Sequence, residues 1–67
     1  MVYRYATLFR PPQPGAIPRE GLLSAREEEV RTPTNRNAWG WAEYARRLTE
    51  EEVREYELEF VSERQEE

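Results

Sequence analysis

The sequence predicts an α+β domain, a small antiparallel sheet of three to four strands with one short helix, in the order β-β-β-α-β. Two segments of alternating residues predict strands, because successive side chains of a strand point to opposite faces. A capping sequence near residue 49 predicts the helix. We expect a single domain over residues 1–61 and a disordered acidic tail over residues 62–67.

The first strand is predicted from Val2 to Phe9, where aromatic and β-branched residues are frequent. The face with most aromatic rings is expected to point inward and holds Tyr3, Tyr5, Thr7 and Phe9. The opposite face is expected to stay half-exposed and holds Arg4, Ala6 and Leu8.

A proline-rich segment from Arg10 to Gly21 ends this strand. Its prolines lack an N–H donor and enforce extended backbone. Pro14 and Gly15 predict a tight turn, and Ile17 is expected to tuck under the sheet edge. We interpret the segment as a rigid crossing loop, with a polyproline ligand for an aromatic groove as the alternative.

The segment from Leu22 to Arg31 is ambiguous. Ser24 and Glu27 have capping-box spacing, but there are too few apolar residues for a helical stripe. We favour a short strand over residues 22–28, paired with the tryptophan strand, and the alternative is a helix of one or two turns. Residues 32–37 are rich in side chains that bond their own backbone, which predicts a hairpin loop.

The tryptophan strand is predicted from Trp39 to Tyr44. One face holds Trp39, Trp41 and Glu43. Because two adjacent indoles can bury a large apolar area, we interpret them as core anchors. A ligand-stacking platform is the alternative. The opposite face, with Ala42 and Tyr44, is then expected to be partly uncovered.

The strongest local signal is a helix start at Thr49. Its hydroxyl can accept from a backbone N–H, and Glu52 can reach back to the Thr49 N–H, which makes a capping box. Leu48 and Val53 fit a hydrophobic staple. Three successive glutamates at residues 50–52 are favoured there by the helix dipole, which explains them better than a metal or acid–base site does.

The helix is predicted over residues 50–56, and alternation then resumes in a last strand over residues 58–61. The competing interpretation extends the helix to Ser62, with Val53, Tyr56 and Phe60 as its apolar stripe. The alternation of Glu57, Leu58, Glu59 and Phe60 favours the strand.

The composition limits the possible chemistry. The chain has no Cys and no His, which removes disulfides, thiolate metal sites and the usual general base near neutral pH. We therefore expect no enzyme, no cofactor and no metal. No apolar run approaches the roughly 20 residues of a membrane span, and the N-terminus does not resemble a signal peptide, so a cytoplasmic location is expected.

The charge is uneven along the chain. Residues 1–47 hold eight Arg and five Glu, a net charge of +3, whereas residues 48–67 hold two Arg and nine Glu, a net charge of −7. Phosphate contacts dominate the affinity of nucleic-acid binders. The acidic C-terminal part therefore argues against a simple nucleic-acid-binding protein.

Several short motifs carry a resemblance to a known group of proteins. They are Arg10-Pro-Pro12, Gly15-Ala-Ile-Pro18, Trp39-Gly-Trp-x-x-Tyr44, Arg47-Leu-Thr-x-x-Glu52 and Tyr56-Glu-Leu58. Over most of residues 2–61 the chain resembles small uncharacterised accessory proteins of plasmids and integrated mobile elements in Gram-positive bacteria. Related small domains accompany very large multi-domain proteins of such elements. The resemblance implies a cytoplasmic accessory protein and supplies no activity and no functional residues.

Among functions, a protein-interaction module is favoured, because one short helix covers only one face of a sheet and an uncovered apolar face usually marks a partner. The partner is expected to be another protein or a second copy, bound through the uncovered face or an edge strand. The candidate contact residues are Arg4, Leu8, Arg10, Pro12 and Tyr44.

Two other functions stay open. One is single-stranded nucleic-acid binding by arginine and aromatic stacking, through Tyr3, Arg4, Tyr5, Arg10 and Arg19. The other is an acidic decoy that inhibits a DNA-handling enzyme by presenting carboxylates spaced like phosphates, through Glu50, Glu51, Glu55, Glu57 and Glu59.

Overall fold

The computed structural model describes residues 1–65, which form a four-stranded antiparallel sheet and one helix. The elements in chain order are β1 (Val2–Thr7), β2 (Leu22–Arg31), β3 (Asn37–Tyr44), α1 (Glu50–Glu55) and β4 (Leu58–Arg64). The spatial order of the strands is β2-β3-β1-β4, and every neighbouring pair is antiparallel. The predicted fold class and element order are confirmed.

Strand β2 resolves the ambiguous segment. It pairs with β3 from Leu22 opposite Tyr44 to Arg31 opposite Asn37, so the strand prediction is confirmed and the helical alternative is wrong. The strand runs three residues beyond its predicted end. In the hairpin loop, Asn35 donates its N–H to the Thr32 carbonyl at 2.8 Å and adopts a φ of 65°, a conformation that asparagine tolerates.

The core lies between the sheet and the elements that cover one of its faces. It is a cluster of buried residues, namely Tyr5, Ile17, Ala42, Tyr44, Leu48 and Leu58. Three half-buried side chains pack against it, those of Tyr3, Val53 and Tyr56. We call this side of the sheet the covered face. Aromatic rings fill much of it because the single short helix α1 supplies few apolar groups of its own.

Two tyrosines hold the covered face together. Tyr5 and Tyr44 meet edge to face, with ring centroids 6.1 Å apart. The Tyr44 hydroxyl donates to the Pro18 carbonyl at 2.6 Å, and the Tyr5 oxygen accepts from the Leu48 N–H at 3.0 Å. The two phenols therefore fasten the proline-rich loop and the entry to α1 onto the sheet, while their buried hydroxyls stay satisfied.

The orientation of β3 is opposite to the predicted one. Ala42 and Tyr44 are fully buried on the covered face, whereas Trp39 is 52% exposed and Trp41 is half-buried. The prediction that the indoles are core anchors is wrong. The register explains the outcome, because Ala42 lies opposite Tyr5 in β1 and so shares the face of the tyrosine side chains.

The helix start is confirmed in detail. The Thr49 hydroxyl accepts from the Glu52 N–H at 3.1 Å, and the Glu52 carboxylate accepts from the Thr49 N–H at 3.0 Å. A second partner fixes Glu52, because Arg46 donates to both of its carboxylate oxygens at 2.8 Å. These hydrogen bonds, that of Arg46 first, lower the pKa of Glu52 to about 2.

The last strand is longer than predicted. β4 continues to Arg64, which lies opposite Val2 of β1. The prediction of a disordered tail is therefore wrong for residues 62–64, and residues 66–67 lie outside the described residues. The alternative in which the helix continues to Ser62 is also wrong, because Glu57 adopts a φ of 55° after the helix and redirects the chain.

The first strand is shorter than predicted, and the loop after it folds as expected. β1 ends at Thr7, and Phe9 is 66% exposed instead of pointing inward, because the chain has by then left the sheet. In the loop, Ala16 donates to the Gln13 carbonyl at 2.8 Å with Gly15 at a φ of 89°. A proline followed by a residue with positive φ is typical of a type II turn. Ile17 is buried, as predicted.

Candidate interaction face

The face of the sheet opposite α1, called here the open face, is polar and aromatic. β3 contributes the side chains that alternate with those of the core, and β1 and β4 contribute arginines. Its central residues are Arg4, Trp39, Trp41, Glu43 and Arg64. Because these side chains project from adjacent paired strands, the sheet fixes their relative positions.

Glu43 joins residues from all four strands. Its carboxylate accepts hydrogen bonds from Arg4 of β1 at 2.8 and 3.0 Å and from two nitrogens of Arg64 in β4. Ser24 of β2 lies at 3.5 Å. The glutamate is 6% exposed, whereas the side chains of Arg4 and Arg64 are 34% and 51% exposed, so the carboxylate lies beneath its two partners. The network explains why β4 extends to Arg64, since that guanidinium completes the pairing.

The network sets the ionisation of Glu43. The hydrogen bond from Arg64 is the largest cause that lowers its pKa, burial opposes the shift, and Arg4 adds to the lowering, so that the pKa falls from an ordinary 4.5 to about 2. Glu43 is therefore ionised at neutral pH. A carboxylate shared by two guanidinium groups forms strong, geometrically specific hydrogen bonds.

Trp41 is held in place from two sides. The Arg4 guanidinium lies 4.2 Å from the centre of its ring, a cation–π contact, and its Nε1–H donates to Glu28 at 2.8 Å. Arg4 is thus clamped between Glu43 and the Trp41 ring. The arrangement therefore fixes an aromatic ring and a cation side by side on this face.

Trp39 is the half-exposed aromatic residue of this face. Its indole neighbours an open groove of about 510 Å³, bounded by Glu27, Glu28, Glu29, Asn37, Ala38 and Trp39. The groove lies along β2, which is the edge strand on this side of the sheet. An exposed indole with a polar rim is typical of an interaction hot spot.

The structure separates the predicted contact residues. Arg4 lies on the open face, as expected. Tyr44 is fully buried in the core, so its predicted place on the uncovered face is wrong. Pro12 packs over β3, because a Cβ added at Gly40 would lie 2.9 Å from its Cδ.

The two remaining candidates lie near the helix. Leu8 is half-buried and borders a second groove with Val53 and Leu58, so its predicted place on the uncovered face is also wrong. Arg10 is exposed, with its guanidinium 3.8 Å from the carboxylate of Glu57. The five predicted residues therefore do not form one surface.

The residues of the two alternative functions are also dispersed or engaged. Tyr5 is buried on the covered face, so it cannot stack on a base beside Arg4 on the open face. Among the decoy carboxylates, Glu59 accepts from Arg36 at 2.7 Å and from Thr34. Burial opposes a lower pKa for Glu59, but these hydrogen bonds outweigh it.

Sequence reasoning ranked a core position for Trp39 above the alternative of an exposed stacking platform, and it missed Glu43 as the centre of an ion-pair network. A usable signal was present in β3. The face of β3 that carries the indoles also carries Asn37 and Glu43. The opposite face of the strand has no charged residue and consists of Ala38, Gly40, Ala42 and Tyr44. An uncharged face is the better candidate for burial, since unpaired charges are rarely buried.

Two features are absent from the residues that the structure describes. In residues 1–65, no group of three acidic side chains is placed to hold a metal ion. Over the same residues, the one short helix is far from the length and apolarity that crossing a membrane requires.

The fold and the open face define a small α+β domain that carries a half-exposed indole on one face of its sheet. The chain belongs to the family described as "Defence against restriction A C-terminal", whose model matches residues 1–63. This family places the chain among domains associated with mobile elements, in agreement with the resemblance seen in the sequence. The association with Gram-positive hosts stays a prediction. Comparisons with curated proteins and with solved structures each gave no match.

Proposed function

We propose that this chain is a non-enzymatic protein-interaction module of a mobile element, acting in the cytoplasm as part of a defence against restriction. The family description supports the biological role. The observation that carries the molecular role is the half-exposed indole of Trp39 beside the fixed pair of Trp41 and Arg4. Large aromatic residues that are exposed and rimmed by polar groups dominate the energetics of many interfaces.

The contact is proposed to centre on Trp39, with Trp41 and Arg4 next to it. Glu43 positions Arg4 and needs no contact with the partner. This division follows from exposure, because Trp39 is 52% exposed and Glu43 is 6% exposed. The partner is proposed to be another protein encoded by the same element or by its host.

A matched pair of variants tests this proposal. Trp39→Ala removes the indole, which is 52% exposed, and Phe9→Ala removes a ring outside the open face that is 66% exposed. The measurements are co-purification with the proteins of the element and protection of its DNA in a restricting host. We expect Trp39→Ala to lose both and Phe9→Ala to keep both. Equal behaviour of the two variants would contradict the proposal.

The acidic decoy is the second candidate, because the family description concerns defence against restriction. Glu50, Glu51 and Glu55 are exposed on α1 and could face a DNA-binding surface. Inhibition of purified restriction enzymes by the isolated chain distinguishes the two functions. Inhibition that survives Trp39→Ala but not neutralisation of these three carboxylates would favour the decoy.

A further inference from the structure

The edge of the sheet at β2 is available for pairing with another chain. β2 is ten residues long, nine of them exposed, and β3 is its neighbour on one side only. An edge strand presents backbone N–H and C=O groups to which an extended segment of another protein can bond.

The groove beside this edge has a defined chemistry. Its apolar lining is Ala38 and Trp39, and its polar lining is Asn37 with the three glutamates at residues 27–29. Glu28 accepts from Trp41. Within residues 1–65, these three carboxylates form no ion pair with an arginine of the chain. The groove therefore combines an aromatic surface with uncompensated negative charge.

This chemistry selects the occupant. A second copy of the chain would bring two runs of like charge together along the shared edge, which is unfavourable. A register shift between Glu27 and Val30, where three steps along β2 match two along β3, also disturbs regular self-pairing. A guanidinium group suits the groove, because it can stack on an indole and donate to carboxylates at the same time.

We infer that the β2 groove binds an extended, arginine-bearing segment of a partner protein, with an arginine side chain over Trp39 and its guanidinium between the carboxylates at residues 27–29. The inference rests on the proposed function and specifies the partner's chemistry. Arg26 and Arg31 flank the acidic run, so basic side chains of the segment are expected to concentrate opposite the run itself.

The experiment uses a synthetic peptide in which arginine alternates with threonine, and a matched peptide with glutamine in place of arginine. Binding to the unmodified chain is measured with labelled peptides, because Trp41→Phe removes the N–H that Glu28 accepts. In Trp41→Phe, Trp39 is the sole tryptophan, so its fluorescence reports the groove. We expect the arginine peptide to change this fluorescence and to bind at least about tenfold more tightly than the glutamine peptide at low salt.

Two triple variants with the same change of net charge complete the test. Glu27→Gln, Glu28→Gln and Glu29→Gln together are expected to remove the preference for arginine and keep the fold. The control triple variant on α1 is expected to keep the preference for arginine. It combines Glu50→Gln, Glu51→Gln and Glu55→Gln. The inference is overturned if the arginine peptide does not bind, if both triples behave alike, or if the fluorescence change reflects self-association detected by light scattering.

The same variants separate this inference from the proposed function. Suppose that Trp39→Ala loses the natural partner and the triple variant at residues 27–29 keeps it. The open face then remains the binding site, and the inference of an arginine-bearing segment in the β2 groove is wrong. If neither variant loses the partner, the proposed function itself is wrong.

Discussion

The two faces of the sheet use aromatic residues in opposite ways. On the covered face, Tyr5 and Tyr44 are buried, and each phenol oxygen bonds a backbone group of a covering loop. On the open face, Trp39 and Trp41 lie at the surface. The Arg4 guanidinium and the Glu28 carboxylate hold the Trp41 ring in place. Tyrosine thus builds the core and tryptophan the surface, which shows that ring size alone does not decide burial.

The difference follows from what each face is packed against. α1 is six residues long, and with its flanking loops it offers backbone groups as well as apolar side chains. A phenol can bury its ring and still bond such a group with its hydroxyl. The open face has no covering helix. The neighbours of its Trp41 indole are instead the charged side chains of Arg4 and Glu28. Four predictions test this division, from the largest expected effect to the smallest.

The largest effect is expected for Tyr44→Ala. The side chain is fully buried at the centre of the core, and truncation of a large buried ring costs about 3–5 kcal/mol. For a domain of 67 residues this is most of the stability. We expect loss of cooperative unfolding in urea, followed by circular dichroism. A stability close to that of the unmodified chain would show that the covered face is assigned wrongly.

The next effect is expected for Glu43→Gln. Its depressed pKa stabilises the fold at pH values above 4.5, and this stabilisation, about 2–3 kcal/mol, is lost as the pH falls towards about 2. Urea unfolding of both proteins across this range is the measurement. The two curves should differ at pH 7 and converge near pH 2. Glu63→Gln, which removes an exposed pair with Arg47, is the control and should cost little at any pH.

A smaller effect is expected for Thr49→Ala. This variant tests the start of α1, the helix that packs on the covered face. The variant removes the hydroxyl that accepts from the Glu52 N–H, and the loss of such a cap costs about 1 kcal/mol. Thr49→Ser keeps the acceptor and should recover most of the difference. Failure of serine to do so would mean that the threonine acts through packing instead of capping.

The smallest effect on stability is expected for Trp39→Ala. Because half of this side chain is already in water, we expect a change within about 0.5 kcal/mol in thermal or urea unfolding. The same variant is expected to lose partner binding. A loss of several kcal/mol would place Trp39 in the core and remove the distinction between the faces.

Much of the architecture could be predicted from local sequence. The capping box at Thr49, the turn at Pro14 and Gly15, and the alternation in β1 each depend on neighbouring residues. The first two are confirmed, and the alternation is confirmed as far as Thr7. The direction in which β3 faces could not be read from Trp39 and Trp41 alone, because it depends on the register with β1, a contact between distant parts of the chain.

The candidate site was harder to predict for the same reason. Arg64 lies in a segment whose composition suggests disorder, and its backbone pairing with Val2 and its bonds to Glu43 join it to distant parts of the chain. The groove at residues 27–29 depends on a register shift in the β2–β3 pair, which no local pattern indicates. Arg4 was identified because its charge within an otherwise apolar strand marks a surface position.

The most direct test of the division between the faces is acrylamide quenching of Trp39 fluorescence in the Trp41→Phe variant, compared with the same variant unfolded in urea. We expect emission near that of a hydrated indole in the folded protein, and quenching about half as efficient as in the unfolded chain. A blue-shifted emission that acrylamide hardly quenches would place the indole in the interior, and the assignment of the two faces would then be wrong.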